Sequence, residues 1–348
     1  MSHAPPPMGN VSAVVASVTE RTGSLVRPVD VQVPTAVSPS ISVVICSYAD
    51  SRFGELLDAC ESVQAQLGPA DEVVVVIDYN DGLLTRACAA LPRVRVARNE
   101  GRRGLSGARN TGVRLSRGDV VAFLDDDAAA RPGWLAGLRE SFANDEVAVA
   151  GTAVEPRWEG GRAPSWFPPE FGWVVGCSYR GLPEVKTTVR NPIGASMAVR
   201  RAVFGQVGGF SGAIGRVGTT PVGCEETEFC IRVAARDGNK VVFDPASAVD
   251  HFVPAVRQTM RYFVRRCYHE GRSKRIVSLL QGSRASLASE RRYVRVTLPA
   301  AVYLAVIGAR RNPTGLARGG VVLVGLGSAI LGYAVESLQR RPLTSTDC

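Results

Sequence analysis

Five short apolar runs, separated by stretches long enough for helices, constrain the fold of this 348-residue chain most strongly. The runs are ISVVICSY at 41–48, EVVVVIDY at 72–79, VRVAR at 94–98, VVAFL at 120–124 and VAVAG at 147–151. Continuous β-branched runs are typical of strands buried on both faces of a parallel sheet, and parallel strands need crossover connections. We therefore predict an α/β fold, with an open, mostly parallel, Rossmann-like sheet and flanking helices.

The segment between the third and fourth runs, GLSGARNTGVRLSRG, has the periodicity of a helix. Its residues Leu105, Ala108, Gly112 and Leu115 fall on one face, as in a helix that covers a sheet. This pattern supports a β-α-β arrangement.

Polar side chains follow three of the predicted strands, at the sheet edge where ligands bind in such folds. They are Ser47, Tyr48 and Asp50 after the first strand, Asp78, Asn80 and Asp81 after the second, and Asp125, Asp126 and Asp127 after the fourth. We predict that the ligand site lies along this edge.

The three consecutive aspartates need a compensating positive charge. Because side chains alternate along an extended chain, Asp125 and Asp127 should point to one side and Asp126 to the other. Carboxylates without nearby cysteines or paired histidines favour Mg²⁺ or Mn²⁺, which commonly keep substrate phosphates as further ligands. The alternative is a solvated acidic turn before a helix whose N-terminus, near Pro132, favours negative charge.

A second acidic position lies in GCEETEFCIRVAARDG. On a helix that begins near Glu225, the inward-facing stripe is Glu226, Phe229, Cys230 and Val233. An inward carboxylate tends to have its pKa raised by desolvation, which suits a general base at neutral pH. The alternative is an acid that complements the helix dipole.

Six blocks, in this order, resemble the family-2 glycosyltransferases over residues 41–275. They are CSYAD, VVIDYND, NEGRRGLSGARNTG leading to FLDDDA, NPIGASMAVRRAVFGQVGGF, CEETEFCIR and DPASAVDHF. The resemblance implies a GT-A fold and an inverting, nucleotide-sugar-dependent enzyme. It also implies a Mg²⁺ or Mn²⁺ cofactor.

The resemblance further implies the roles of individual residues. Asp78 would contact the base or ribose, Asp125 and Asp127 would form the D-x-D element, and Asp127 would ligate the metal directly, with His251 approaching it. The predicted donor-binding set is Ser47, Tyr48, Asp50, Asp78, Arg109, Asn110, Asp125 and Asp126. For His251, the alternative is an ordinary packed histidine.

The catalytic base implied by the resemblance is Glu226. The family usually has Glu-Asp here, so Glu226 is one methylene longer than the common residue. Gly194, Ala195 and Glu225 would lie on the acceptor side, although glycine and alanine also serve tight turns. QTMRY at 258–262 faintly resembles the Q-x-x-R-W element of processive synthases, and we favour single-sugar addition.

Net charge, cysteine content and missing motifs limit which partners and which other functions the sequence allows. The net charge of +9 suits anionic partners, and eight cysteines without a C-x-x-C pair indicate reduced cytosolic thiols. Neither a P-loop nor a G-x-G-x-x-G after a strand is present, and no nucleic-acid partner is predicted. Two alternatives remain open: a catalytically inactive module that binds nucleotide-sugars or polyanions, and a sugar nucleotidyltransferase.

Composition also predicts the domain organisation. We expect a disordered tail at 1–40, the catalytic domain at 41–275, a basic linker at 276–295, apolar membrane-associated helices at 296–337 and a tail at 338–348. Arginines flank both apolar runs, which favours peripheral or hairpin attachment at the inner face of the cell membrane. The alternative is a soluble enzyme with a dimer-forming tail. A UDP-sugar donor and a glycan or lipid-linked acceptor are the expected substrates.

Overall fold

All five predicted apolar runs contribute strands to one sheet in the computed structural model, which describes residues 38–212, 223–281, 290–291, 293–307 and 313–339. The strands are β1 Ile41–Ser47, β2 Glu72–Ile77, β3 Arg95–Arg98, β4 Val120–Asp125, β5 Ala128–Ala130, β6 Val147–Trp158, β7 Thr187–Thr188, β8 Ser196–Arg200 and β9 Lys240–Val253.

The sheet is mixed, with the order β3-β2-β1-β4-β8-β6-β9-β5 and with β7 paired to β9. The pairs β1–β2, β2–β3, β1–β4 and β6–β9 are parallel. Strand β8 lies antiparallel between β4 and β6, and β5 and β7 are antiparallel to β9. The predicted α/β class is confirmed, and the parallel pairing is concentrated in the half of the sheet that carries β1 to β4.

The helices flank this sheet. They are α1 Phe53–Gln64, α2 Asp81–Ala90, α3 Leu105–Leu115, α4 Trp134–Phe142, α5 Arg201–Val207, α6 Glu225–Ala234, α7 Met260–Gln281, α8 Leu298–Ile307 and α9 Pro313–Leu338. Helix α3 spans the segment predicted from its periodicity, and α6 begins at the predicted residue, Glu225.

The sheet is buried on both faces because alternate residues of its central strands enter different hydrophobic clusters. Val43 and Ile45 of β1 pack in one cluster, and Val44 packs in the other. Gly112 allows α3 to lie close to the second face, since a Cβ there would be 2.3 Å from Val44 Cγ1. The strands that end at the predicted ligand edge are therefore packed on both faces.

The C-terminal helix α9 packs directly on α7. A Cβ at Gly271 would lie 1.9 Å from the Ala329 carbonyl oxygen, and one at Gly332 would lie 1.9 Å from the Tyr268 carbonyl oxygen. The residues Gly315–Leu338 are long and apolar enough to cross a membrane by length and composition. One face of α9 is nevertheless covered by α7.

The predicted domain boundaries stay predictions. Residues 1–37 and 340–348, which make up most of the two predicted tails, lie outside the described residues. The boundary predicted at residue 275 falls inside α7, which continues to Gln281 with Val277 fully buried. Within the described residues, the first part of the predicted linker is therefore helical.

Candidate active site

The end of β4 brings together the acidic residues that the sequence singled out. Asp125 is the last residue of β4, and His251 lies on β9 beside Ala128 of β5. One potential ligand atom from each of Asp125, Asp127 and His251 lies within 4.8 Å of the other two. Asp125 and Asp127 thus converge as the alternation of side chains predicts.

Asp126 points elsewhere and is buried. Its carboxylate accepts hydrogen bonds from Ser47 Oγ at 2.6 Å and from Arg52 Nη1 at 2.8 Å. Burial raises the pKa of Asp126 to about 6, although the Arg52 charge acts against this rise. Ser47 and Asp126 therefore bind each other, and their predicted contact with the donor stays a prediction.

Asp127 is surrounded by positively charged groups. Its carboxylate lies 3.1 Å from His251 Nε2, 3.2 Å from Arg257 Nη2 and 3.3 Å from Arg52 Nη1. Burial alone would raise the pKa of Asp127, but His251 and the two arginines hold it well below its usual range. Burial alone would lower the pKa of His251, but the Asp127 charge and hydrogen bond raise it to about 10.

Sequence reasoning missed Arg52 and Arg257. Arg52 follows β1 at the same sheet edge as the aspartates, so the strand-end argument could have included it. Arg257 directly precedes the QTMRY segment, and its contact with Asp127 spans 130 positions of sequence. No local pattern indicates such a contact.

Arg109 connects the acidic edge, formed by Asp125, Asp126 and Asp127 at the end of β4, to the start of α6. It is buried, and its Nη1 donates to Glu225 Oε1 at 3.1 Å while its Nη2 donates to the Gly194 carbonyl at 3.0 Å. Its Nη2 also lies 3.5 Å from Asp125 Oδ1. The guanidinium of Arg109 thus contacts Asp125, which is predicted for the donor side, and Gly194 and Glu225, which are predicted for the acceptor side.

Asn110 is held by the backbone of one distant residue. Its Nδ2 donates to the Phe210 carbonyl at 2.9 Å, and its Oδ1 accepts from the Phe210 amide at 2.8 Å. Both ends of the amide are therefore occupied by one backbone residue. The predicted contact of Asn110 with the donor stays a prediction.

A cavity of about 390 Å³ lies beside the residues that follow β1 and β2. Asp78 accepts hydrogen bonds from Asn99 Nδ2 at 2.7 Å and from the Gly104 amide at 3.0 Å. Asn80 donates to Asp50 at 2.7 Å. The lining residues are Tyr48, Asp78, Tyr79, Asn80, Asp81, Arg98 and Arg103. This cavity lies at the predicted sheet edge.

Glu226 lies in the first turn of α6, after Cys224, whose φ of +77° is left-handed. Burial raises its pKa to about 7, the Glu225 charge adds to this rise, and Arg109 opposes it. Phe229, Cys230 and Val233 are fully buried, as the predicted stripe requires. Glu226 itself is only partly buried because it faces a cavity.

That larger cavity has a volume of about 610 Å³. Asp125, Arg109 and Glu226 line it at the sheet edge, together with the predicted acceptor-side residues Gly194, Ala195 and Glu225. Glu225 is buried, and its Oε2 has no hydrogen-bond partner among the described residues. Helices α7, α8 and α9 form the opposite wall.

Comparison with known proteins identifies the family. The Glycosyl transferase family 2 model matches residues 42–208. The glucosyl-dolichyl phosphate glucuronosyltransferase of Haloferax volcanii is 38% identical over 245 residues, which cover 69% of this chain and 78% of that protein. The chain belongs to glycosyl transferase family 2. It is a glycosyltransferase, as its sequence blocks predict.

One further relative and one solved structure of similar fold extend the comparison. Polypeptide N-acetylgalactosaminyltransferase 12 of Mus musculus is 28% identical over 249 residues, which cover 62% of this chain and only 40% of that protein. A mannosyltransferase from Pyrobaculum calidifontis, solved with GDP-Man and Mn²⁺, has a TM-score of 0.53 and 17% identity, and the match covers 88% of this chain and 89% of that one. The second likeness supports the predicted GT-A fold.

The residues at the β4 edge fit the divalent cation that the family implies. Two carboxylates and one imidazole converge within 4.8 Å, and 27% of the Asp125 side chain is exposed toward solvent. Oxygen-rich donor sets of this kind suit Mg²⁺ and Mn²⁺, with open positions for phosphate oxygens. Asp125, Asp127 and His251 would hold the ion.

Proposed function

We propose that this family-2 glycosyltransferase inverts the anomeric configuration as it moves a sugar from a nucleoside-diphosphate donor to an acceptor hydroxyl. One observation carries the proposal: Glu226, with a pKa near 7, lines the same cavity as Asp125 of the acidic edge. A carboxylate tuned to neutral pH is suited to accept the proton of an attacking hydroxyl. A general base in the same cavity as a site for a charged leaving group suits a single displacement.

The donor is proposed to lie along the sheet edge. The 390 Å³ cavity that contains Tyr48 and Asp78 would take the base and ribose, and a UDP-sugar is the preferred candidate. A divalent ion at Asp125, Asp127 and His251 would, when bound, offset charge on the leaving diphosphate. Arg52 and Arg109 hold the carboxylates of this edge in place, so little reorganisation is needed when the donor binds.

The acceptor is proposed to enter the 610 Å³ cavity beside Glu226. Its hydroxyl would attack the anomeric carbon in line with the departing diphosphate, and Glu226 would accept the proton. The glucosyl-dolichyl phosphate named for the Haloferax volcanii relative, together with the apolar helix α9, supports a lipid-linked sugar as acceptor. Attachment at the inner face of the cell membrane and homodimer formation belong to this proposal as well.

Donor-binding calorimetry tests this function. UDP-, dTDP- and GDP-sugars are titrated with Mn²⁺ or with EDTA into the wild type, Asp127→Ala and Glu226→Gln. We expect metal-dependent binding that Asp127→Ala abolishes and Glu226→Gln preserves, because the base lies on the acceptor side.

A transfer assay follows with the donor that binds, using lipid-linked and water-soluble glycosides as acceptors and determining the configuration of the product. We expect an inverted product with the wild type and none with Glu226→Gln. Retention of configuration, or full transfer by Glu226→Gln, would contradict the mechanism. Donor binding without turnover on any acceptor would instead favour a binding module.

A further inference from the structure

The C-terminal helices α8 and α9 expose an apolar face that the proposed chemistry does not use. More than half of the large apolar side chains exposed in the described residues lie on these two helices. On α9 the exposed positions recur at helical spacing, and they include Leu316, Leu323, Ile330, Leu331 and Leu338. These side chains form one continuous stripe along the helix, called the α9 stripe below.

Polar groups are nearly absent from this face. Within the described residues, the only charged residues of α8 and α9 are Arg318 and Glu336, and both bind other parts of the protein. The hydroxyls of Ser328 and Ser337 donate to carbonyls of α9 itself, at 2.7 and 2.8 Å. These hydroxyl protons are therefore satisfied without water, as lipid surroundings require. A protein interface of this size would instead include hydrogen bonds to the partner.

Exposed arginines lie in the segments next to α8 and α9. Arg295 lies between the exposed residues Val294 and Val296, directly before α8, and Arg265 is exposed on α7, which packs against α9. Such arginines are attracted to anionic lipid headgroups. Tyr303, which is exposed on α8, is of a residue type enriched where a bilayer meets water. Apolar stripe, arginines and tyrosine together favour an anionic lipid bilayer as the partner of this face.

The opposite face of α9 is attached to the catalytic domain along most of its length. At one end, Arg318 Nε donates to the Ser165 carbonyl at 2.8 Å, and at the other, Glu336 pairs with Arg272 of α7. Between them, Gly332 allows backbone contact with α7. At about 1.5 Å per residue these contacts span about 27 Å, close to the hydrocarbon thickness of a bilayer, about 30 Å. If α9 crossed a bilayer, α7 would therefore enter it as well.

Helix α7 is unsuited to the interior of a bilayer. It carries seven charged side chains in 22 residues, and charged side chains at the bilayer centre are costly. Two of them, Glu270 and Lys274, also line the cavity that contains Glu226. A helix that lies flat in the surface avoids this cost, because only one of its faces enters the lipid.

We propose that α9 lies flat in the surface of an anionic lipid bilayer, with the α9 stripe in the lipid, and does not cross the membrane. This inference rests on the proposed function and deepens it, because it specifies how the protein meets the membrane. Gly325 and Ala329, on the packed side of α9, line the 610 Å³ cavity. A single helix, about 10–12 Å thick, then separates the lipid from the cavity of Glu226. A lipid-linked acceptor has only this short distance to bridge.

The test measures the depth of single fluorophores in anionic vesicles, with the full-length chain. The environment-sensitive dye NBD is attached to cysteine in a Cys88→Ser, Cys348→Ser background, which without a new cysteine gives the baseline labelling. The labelled sites are Leu316→Cys, Leu323→Cys, Leu331→Cys and Leu338→Cys. Asp145→Cys is the matched control, because the Asp145 side chain is fully exposed between α4 and β6. The vesicles carry a doxyl quencher either near the headgroup or near the end of the lipid chain.

We expect NBD emission to rise several-fold at every α9 site when vesicles are added, with no response at Asp145→Cys. At each α9 site the quencher near the headgroup should act more strongly than the one near the chain end. A crossing helix would place Leu323 and Leu331 deepest, so stronger chain-end quenching at these two sites would overturn the flat orientation. No response at any α9 site would overturn lipid as the partner, and a dimer in sedimentation would then assign the face to a second copy.

A charge variant tests the attraction to anionic lipid. Arg295→Gln should weaken binding to anionic vesicles by about fivefold and leave binding to neutral vesicles unchanged. Arg131→Gln is the control of equal charge change, because Arg131 pairs with Asp250 elsewhere on the surface. Equal weakening by both variants would contradict a local attraction at this face.

These measurements need neither donor, metal nor turnover, so their result is independent of the transfer assay. Flat attachment without sugar transfer would refute only the proposed function. Sugar transfer by a protein that does not bind vesicles would refute only the attachment.

Discussion

Replacement of Glu226 by Gln should lower activity and stabilise the fold at the same time. The pKa of Glu226 rises from its ordinary 4.5 to about 7, first through burial and then through the charge of Glu225. At about 1.4 kcal/mol for each pKa unit, this rise disfavours the charged carboxylate in the folded protein by about 3 kcal/mol. Gln cannot ionise, so the variant avoids this cost.

The sign of the pH dependence follows from where the proton is held. The folded protein keeps the Glu226 proton up to about pH 7, whereas the unfolded chain releases it near 4.5. The stability that this proton contributes is complete at low pH and is lost as the pH rises through 7. Because Glu226 is partly exposed, we expect Glu226→Gln to be more stable than the wild type by about 1–3 kcal/mol above that pH, and equally stable near pH 4.5.

Urea unfolding in EDTA, at about pH 5 and about pH 8, measures this difference directly. Transfer kinetics should show a kcat about 10²- to 10⁴-fold lower, as expected for loss of a general base. Glu146→Gln is the matched control: the Lys240 hydrogen bond lowers the pKa of exposed Glu146, so its replacement should not stabilise the protein at high pH. If Glu226→Gln is destabilised at the higher pH, the carboxylate serves the helix dipole and the reasoning fails.

Three further predictions address the metal, the base and the membrane. Arg52→Met should weaken Mn²⁺ binding by about tenfold or more in a calorimetric titration, because the arginine orients the aspartates of the acidic edge; unchanged affinity would contradict this role. Glu225→Gln should move the acidic limb of the pH–rate profile to lower pH, since removal of the Glu225 charge lowers the pKa of Glu226; a move to higher pH would contradict it. Leu323→Gln with Leu331→Gln, both on the exposed face of α9, should reduce co-sedimentation with anionic vesicles by about tenfold or more; undiminished co-sedimentation would place the membrane contact elsewhere.

The sequence predicted what depends on local periodicity. Continuous apolar runs predict buried strands such as β1 and β4. The stripe of residues at i, i+3, i+4 and i+7 predicts helix α6. The convergence of Asp125 and Asp127 follows from the alternation of side chains along a strand, and the structure places them together. Each of these features is encoded within about ten consecutive residues.

Features that depend on distant contacts were not predictable in the same way. Strand β8 is only five residues long and lies outside the five predicted apolar runs, yet it is inserted antiparallel at the centre of the sheet. No local pattern indicated that Asn110 binds Phe210 or that Arg109 binds Glu225, because both partners lie 100 or more positions away. Which residues pair across such distances in the sequence is decided by how the helices and strands pack, and local sequence patterns do not indicate this packing.

The position of α9 changes how its apolar composition is interpreted. A membrane anchor appended to the catalytic domain could be deleted without effect on a water-soluble acceptor. Here Gly325 lies against Phe171 and Phe263, and buried Glu336 of α9 pairs with Arg272 of α7, so deletion of α9 would uncover aromatic core and leave a charge unpaired. Because α9 also lines the cavity that contains Glu226, the same helix can present a lipid-facing surface outside and an acceptor wall inside. Substitution of its exposed side chains separates these two roles, whereas truncation removes both together with part of the core.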